Sequence, residues 1–297
     1  MEGLYALILA PAKVNLYLRV LGRRFDGYHL LDSLMVPISL YDRLWIRVGR
    51  QRQGLSEGAM TVKVDGSEVP GGPANLAYRA TALFLATVRR SVPVDVRIRK
   101  GIPPGSGLGG ASSDAAAMLL ALNRLLGFPL CTQELCDLGA RLGADVPFFV
   151  YGRAARIRGV GDEVTPVRLP STLSLVVCSD RRVLSTKRVY EAVDLSLTST
   201  EAVTNIPTFV SGREPISGLL MNDLEAAAAQ LHPAVLRIKA RLLDEGAQGA
   251  LMTGSGSAVV GIWPEDRLAR RAATRLREQG LWAEAVQTLE RSPAVGS

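Results

Sequence analysis

The sequence has little of what metal centres and disulfide frameworks require: among its 297 residues are three cysteines and two histidines. Cys131, Cys136 and Cys178 form no Cys-x-x-Cys pair, and His29 and His232 are far apart in the chain. This spacing does not match any zinc-ligand pattern, so a zinc site is not expected. The thiols are expected to be reduced, as they are in a cytosol.

Long apolar runs and charge blocks are also missing. The apolar start LYALILA is too short to span a bilayer and lacks the basic region of a signal peptide, so we expect a cytoplasmic protein that binds no membrane. The formal charge is +7, but the 35 Lys and Arg residues are spread along the chain. Charge alone is therefore a weak indication of an anionic ligand or of nucleic acid.

The stretch KVNLYLRV alternates polar and apolar residues, which predicts a half-buried strand. Its polar face begins with Lys13 and Asn15. Its apolar face consists of Val14, Leu16, Leu18 and Val20. RLWIRVG, TVKV and VDVRIRK predict further strands of a mainly antiparallel sheet, and the almost wholly apolar LSLVVCS predicts a central strand.

Helical spacing occurs in NLAYRATALFLATVRR, DAAAMLLALNRLLG and TQELCDLGARLG. The second of these helices is expected to have Ser112 or Ser113 as its N-cap and to stop at Gly127. From about residue 170 a new series of strands and helices begins and predicts an α+β layer. We therefore predict an α+β protein of two domains, residues 1–168 and 169–297.

The stretch PPGSGLGGASSDAAA, which begins at Pro103, places four glycines directly before a predicted helix. Its letters satisfy the dinucleotide fingerprint, but the second strand of that βαβ unit is replaced by the helical CTQELCDLGARLG. They nearly form a P-loop, but Ala111 stands where the lysine belongs. Crowded backbone N–H groups and a helix N-terminus still favour an anion. The alternative is a tight turn that binds nothing.

This stretch resembles the central motif of the GHMP kinases, the superfamily of galactokinase, homoserine kinase, mevalonate kinase and phosphomevalonate kinase. PAKVNLYLRVLGRRFDGYHLLDSLM and LMTGSGSAVVGIW resemble the other two family motifs and occur in family order. The resemblance implies an N-terminal domain similar to ribosomal protein S5 domain 2, a ferredoxin-like C-terminal domain, and ATP in the cleft between them.

The spellings PAKVNL, DGYH and GADVPFF resemble one branch of that superfamily. They imply a kinase that transfers a phosphoryl group from ATP to the 2-hydroxyl of a cytidine diphosphate-linked methylerythritol, in the non-mevalonate route to isoprenoid (terpenoid) precursors. A sister kinase for homoserine or phosphomevalonate is an alternative. An RNA-binding protein built on an S5-like domain is a remote one, because aromatic residues make up 5% of the chain and form no RNA-binding stripe.

The resemblance also implies where ATP binds. The residues that would hold the phosphates are Pro103, Pro104, Gly105, Ser106, Gly107, Leu108, Gly109, Gly110, Ala111, Ser112 and Ser113. Asn75 would lie beside the adenine, or else only cap the helix that follows it. Magnesium is expected with ATP, but the sequence has no obvious carboxylate pair for it, so no metal ligand is assigned.

Asp145 in GADVPFF matches the catalytic base of the family. Judged from the residues alone, capping of a helix or turn before Pro147 is an equal explanation. Lys13 would lie near the transferring phosphate or near Asp145 and keep that carboxylate ionised. The alternative for a lone lysine on a strand is ordinary solvent exposure.

Substrate-binding residues implied by the resemblance are Asn15, Tyr28, His29, Thr186 and Tyr190. A cytosine ring has a π-face and a polar edge, which suit an aromatic stack and a hydrogen-bonding imidazole. Tyr28 would stack on the base, His29 would bond its edge, and Tyr190 would close the other side with Thr186 nearby. A surface position on a helix is the alternative for Tyr190.

The third motif, TGSGSAVVG, contains a further glycine turn. In the family this turn lies near the active cleft, so Thr253, Gly254 and Ser255 would support the phosphate loop. A plain tight hairpin between two strands explains the same letters.

Overall fold

A computed structural model describes residues 3–49, 60–66, 69–194, 206–213 and 215–296. In chain order its strands are β1 Leu4–Arg23, β2 His29–Val48, β3 Met60–Asp65, β4 Val94–Arg99, β5 Ala155–Gly159, β6 Glu163–Pro166, β7 Ser174–Ser179, β8 Met221–Asn222, β9 Gly249–Met252, β10 Val259–Trp263 and β11 Trp282–Gln287. Helices occur together with strands that pair mainly antiparallel, so the predicted α+β class is confirmed.

The helices are α1 Leu76–Thr87, α2 Gly110–Leu125, α3 Thr132–Ala140, α4 Val146–Tyr151, α5 Thr186–Glu191, α6 Ile206–Val210, α7 Glu225–Leu231, α8 Ala234–Asp244, α9 Asp266–Glu278 and α10 Pro293–Gly296. Short 3-10 turns occupy Gly72–Ala74 and Ile216–Gly218. In the part of the chain that the structure describes, no helix has the length and apolar character needed to cross a membrane.

The first sheet has the strand order β3-β4-β2-β1-β8, with β5 paired to β2 and β6 paired to β5. Strands β1 and β2 are antiparallel partners over nearly their whole length. The other edge of β2 pairs with β5 near its start and with β4 near its end. Because β8 pairs parallel to β1, the chain after residue 169 also contributes to this sheet. The predicted domain boundary between residues 168 and 169 stays a prediction.

The second sheet has the strand order β11-β7-β10-β9 and is antiparallel throughout. LSLVVCS forms β7, and its predicted central position is confirmed. Leu175 and Val177 face a core shared with β1 and β2 of the first sheet. Val176 and Cys178 face a second core with α8 and α9. This sheet therefore has one face against the first sheet and the other covered by helices.

Strand β1 departs from the prediction of a single apolar face. Leu16 lies in the core between the sheets, whereas Leu18 lies in the core that includes α7, α8 and α9. The register with β2 shifts between Asn15 and Tyr17, and such a bulge exchanges the two faces of a strand. The predicted polar face is buried as well, because Lys13 is only 5% exposed.

Helix α2 begins earlier than the sequence predicts. Its N-cap is Gly109, which has a φ of 73° and no side-chain cap hydrogen bond. The backbone N–H of Ser113 already donates to the Gly109 carbonyl at 2.9 Å, so the predicted N-cap at Ser112 or Ser113 is wrong. Gly127 follows the end of the helix, as predicted, with a φ of 87°.

A buried ion pair inside the first sheet provides a test of this fold. The Asp32 carboxylate has no exposed surface and accepts from Arg156 Nε and Nη2, both at 2.8 Å. Arg156→Met leaves this carboxylate unpaired and is expected to lower the free energy of unfolding by about 3–5 kcal/mol. In the same strand, Arg158→Met breaks only the exposed pair with Glu163 and should cost less than about 1 kcal/mol. Urea unfolding would measure both losses, and equal losses would contradict the role of the buried pair.

Candidate active site

The glycine stretch forms a loop between β4 and α2, as the sequence predicts. Gly105, Gly107 and Gly109 have φ values of 62°, 81° and 73°. These lie in the left-handed region, which residues with a Cβ adopt at a cost. The Ser106 hydroxyl donates to the Pro103 carbonyl at 2.7 Å and closes the loop on itself. Glycine is therefore required for the path of the chain before any ligand is considered.

A second glycine turn, between β9 and β10, packs directly against this loop. Gly254 and Gly256 have positive φ values of 55° and 82°. A methyl group at Gly107 would lie 2.4 Å from the Thr253 carbonyl oxygen. The Ala258 N–H donates to the carbonyl of the loop residue Ser106 at 3.1 Å. The structure thus brings the second and third motifs together, backbone against backbone.

Lys13 lies where these two turns meet β1. Its backbone N–H donates to the Leu108 carbonyl at 3.0 Å. Its ammonium donates to Asn15 Oδ1 at 2.7 Å and lies 3.8 Å from Asp145 Oδ2. Burial lowers the pKa of Lys13, and the Asp145 carboxylate opposes this effect. At 5% exposure, Lys13 is not the solvated surface lysine that the alternative required.

Asp145 stands at the N-cap position of α4, but its side chain makes no cap hydrogen bond. The capping alternative therefore fails. The side chain is 39% exposed. Phe149 of α4 packs on the loop, since a methyl group at Gly109 would lie 2.9 Å from its ring and 3.0 Å from Lys13 Cγ. Helix α4 thus positions the carboxylate beside the glycine loop.

The Asn15 side chain is buried rather than exposed to solvent. Its Nδ2 donates to Ser33 Oγ at 2.7 Å while its Oδ1 accepts from Lys13. Its backbone N–H donates to Thr253 Oγ1 at 2.8 Å. In this arrangement Asn15 holds the ammonium and links β1 to the second turn. Sequence reasoning missed Ser33, because no motif singles out one hydroxyl on β2.

Of the residues predicted to bind a cytosine base, His29 and Tyr190 lie together, whereas the ring of Tyr28 is exposed. The rings of His29 and Tyr190 are 5.0 Å apart between centroids and tilted by 34°, whereas Tyr28 is 65% exposed on the preceding turn. Burial and the Arg23 guanidinium lower the pKa of His29, so its imidazole is neutral at neutral pH. Burial and the Asp145 carboxylate raise the pKa of Tyr190. Tyr190 is partly buried and packs against the core of the second sheet and its helices, so it is not a simple surface tyrosine.

Thr186 connects α5 to the second glycine turn. Its Oγ1 lies 2.9 Å from Ser255 Oγ. Asn222 of β8 supports the same turn, since its Nδ2 donates to the carbonyls of Met252 at 2.7 Å and Gly254 at 2.8 Å. Sequence reasoning missed Asn222, because its two partners lie in a distant segment of the chain.

Asn75 caps α1. Its Oδ1 accepts from the Ala77 N–H at 2.9 Å, and its Nδ2 donates to the Pro70 carbonyl at 2.9 Å. The capping explanation is thus confirmed. The place of Asn75 beside an adenine stays a prediction.

Comparison with known proteins assigns this arrangement to a class. Residues 75–153 match the family described as GHMP kinases N terminal domain, and residues 208–280 match GHMP kinases C terminal. The chain belongs to the GHMP kinase family, and the predicted two-domain GHMP kinase fold is confirmed. It is an ATP-dependent kinase of that family.

Within this family, the chain is similar to kinases of one particular name. The 4-diphosphocytidyl-2-C-methyl-D-erythritol kinase of Geobacter sp. (strain M21) is 40% identical over 95% of this chain and 98% of its own. The kinase of the same name from Syntrophotalea carbinolica is 42% identical over 92% and 95% of the two chains. A crystal structure of 4-(cytidine 5'-diphospho)-2C-methyl-D-erythritol kinase superposes with a TM-score of 0.80 at 39% identity, covering 95% of this chain and 99% of the other.

Because the two turns lie so close together, substituting alanine for Gly107 should destabilise the protein more than the same substitution at Gly127. Gly107 and Gly127 both have positive φ values, so alanine at either should cost about 1–2 kcal/mol of unfolding free energy. Nothing lies within 4 Å of a methyl group at Gly127, whereas one at Gly107 meets backbone. Gly107→Ala should therefore lose about 1–3 kcal/mol more than Gly127→Ala in urea unfolding. Similar losses for the two variants would argue against a rigid contact between the turns.

Proposed function

We propose that this protein transfers the γ-phosphoryl group of ATP to the 2-hydroxyl of 4-diphosphocytidyl-2-C-methyl-D-erythritol, a step of non-mevalonate isoprenoid precursor biosynthesis. The observation that carries the proposal is the Lys13 ammonium 3.8 Å from the Asp145 carboxylate, beside two backbone-lined glycine turns. The acceptor is taken from the names of relatives about 40% identical over nearly the whole chain.

ATP would bind with its phosphates on the loop from Pro103 to Ser113, where glycine backbone N–H groups and the start of α2 favour anions. Asn75 would lie beside the adenine and cap α1 at the same time. The described residues contain no group of three or more His, Cys, Asp or Glu that could hold a metal. Magnesium would therefore be bound mainly through phosphate oxygens and water, where it would neutralise phosphate charge.

Asp145 would accept the proton of the 2-hydroxyl as that oxygen forms its bond to the γ-phosphorus and the bond to the bridging β-γ oxygen breaks. Its carboxylate is partly exposed and free of a capping bond, so a hydroxyl has access to it. Lys13 would keep that carboxylate ionised and offset charge on the transferring group. Asn15 would orient the ammonium through its 2.7 Å hydrogen bond.

Specificity for the cytidyl group would come from the region of His29. A neutral imidazole can both donate and accept, which matches the mixed polar edge of cytosine. Tyr190, whose ring lies 5.0 Å from that imidazole, would cover one face of the base, and the exposed Tyr28 would close over the other. Thr186 would tie this region to the second turn through Ser255.

Sister kinases for homoserine or phosphomevalonate share the phosphate loop but have no need of a cytosine site. The pairing of His29 with Tyr190 therefore favours the cytidyl acceptor. Binding of RNA would rest only on the net charge of +7 and on the S5-like domain that the resemblance implies. We propose a cytoplasmic enzyme whose partners are ATP and the cytidine diphosphate-linked acceptor.

Asp145→Asn tests the catalytic assignment. The amide cannot accept the proton, so turnover in a coupled ADP-release assay should fall by about 10²–10⁴-fold, while the protein still folds and binds ATP. Asp137→Asn is the matched control. Asp137 is an exposed residue of α3 whose carboxylate accepts a hydrogen bond from Gln133, and the variant should keep full activity. Unchanged turnover in Asp145→Asn would exclude it as the base.

His29→Ala and Tyr190→Ala test acceptor recognition. Each should raise the KM for the cytidyl substrate about tenfold, the effect of losing one buried contact, and leave the KM for ATP unchanged. Tyr5→Ala, which removes a 63% exposed ring at the start of β1, is the control. A wild-type rate that does not change when the acceptor lacks cytidine would refute the assignment.

A further inference from the structure

Three ionisable side chains lie buried beside the glycine loop and have no part in the chemistry proposed above. They are Asp42 of β2, Lys100 directly after β4, and Asp114 in the second turn of α2. The Lys100 ammonium donates to Asp42 Oδ2 and, at 2.8 Å, to Asp114 Oδ2. Their side chains are 0%, 8% and 5% exposed. Charges are rarely buried this deeply unless they are paired.

The cluster fixes the start of the loop through the backbone. Asp42 Oδ1 accepts from the N–H groups of Gly101 at 2.7 Å and Ile102 at 2.9 Å. These two residues lead directly into Pro103, where the loop begins. One carboxylate on β2 therefore determines the position and direction of the chain as it enters the loop.

The same cluster fixes the end of the loop through α2. Lys100 bonds Asp114 one helical turn beyond the loop. Gly110, the first residue of α2, packs so closely that a methyl group there would lie 3.3 Å from Asp42 Oδ2 and 3.1 Å from Ile102 Cγ2. Both ends of the loop are thus held by one ion-pair cluster.

We propose that Lys100 is a positioning residue for the nucleotide: bridging Asp42 and Asp114, it fixes both ends of the loop over residues 103–109 and so sets the affinity for the ATP phosphates. The inference rests on the proposed function only in that this loop binds phosphates. A glycine-rich segment loses much conformational entropy when it is ordered. Fixing its ends in advance removes part of that loss from the binding step.

The charge balance of the cluster agrees with an anion nearby. Burial and the Asp42 carboxylate raise the pKa of Asp114 to about 8. Among the described residues, Asp42 and Lys100 are the charged groups that act on it. At neutral pH a protonated Asp114 leaves Asp42 and Lys100 as a neutral pair. Without the ammonium, two carboxyl groups would face each other beside a site for a triphosphate.

Lys100→Met removes the bridge and keeps most of the side-chain volume. Its dissociation constant for ATP, measured by titration calorimetry with the full chain at pH 7, should rise at least about tenfold. The constant for the cytidyl substrate should stay within about twofold of wild type, since the cytosine site lies elsewhere.

Arg156→Met is the matched control, because it also removes a cation from a fully buried carboxylate of β2 and lowers stability. It should bind ATP as wild type does. Asp114→Ala and Asp114→Asn form a second pair of variants, which tests the same inference if Lys100→Met does not fold. The amide can still accept from Lys100 and should bind ATP within about twofold of wild type, whereas alanine should bind several-fold more weakly.

Two results would overturn the inference: wild-type ATP affinity in Lys100→Met and in Asp114→Ala, or equal loss of affinity for ATP and the cytidyl substrate. The second would mean a general loss of structure. A wild-type protein that binds ATP but does not phosphorylate the cytidyl substrate would contradict the proposed acceptor, and the binding constants would still decide the role of Lys100.

Discussion

A buried ammonium needs partners, and in this protein the requirement organises the whole site. Moving an amine of this kind out of water costs several kcal/mol unless hydrogen bonds and an opposite charge compensate. Lys13 obtains them from Asn15 and Asp145, while its backbone N–H holds the glycine loop at Leu108. Strand β1, the loop and the start of α4 must therefore meet at one position. This convergence leaves the Asp145 carboxylate partly exposed, and we propose that this carboxylate accepts the proton.

The two glycine turns impose a second constraint, because a side chain at Gly107 or at Gly254 would collide with the backbone of the other turn. Gly107 lies against the Thr253 carbonyl, and Asn15 reaches the hydroxyl of the same threonine through its backbone. Thr253 follows the last residue of a strand in the second sheet, whereas Gly107 and Asn15 belong to the first part of the chain. Packing of the two sheets around a shared core therefore helps to fix the shape of the glycine loop. Substitutions in that core should therefore change the geometry of the candidate active site.

Much of this organisation could be predicted from local patterns. A short apolar run located β7, and helical spacing located α1, α2 and α3; the glycine loop lies between strand and helix as expected. The errors have local causes of their own. Ser112 and Ser113 are good capping residues, but the left-handed Gly109 lets α2 begin before them. A bulge beside Asn15 divides the apolar face of β1 between two cores, and a bulge leaves no mark in an alternating pattern.

The sequence by itself determined the class of the protein and the identity of its motifs, because glycine conformations and residue periodicity act over a few residues of chain. Only the tertiary structure decided that Lys13 is buried, that Asp145 is not used as a cap, and that His29 lies beside Tyr190. These facts depend on segments far apart in the chain. Burial, ion pairing and ring contacts are properties of such distant neighbours, and they exist only once those segments have packed together.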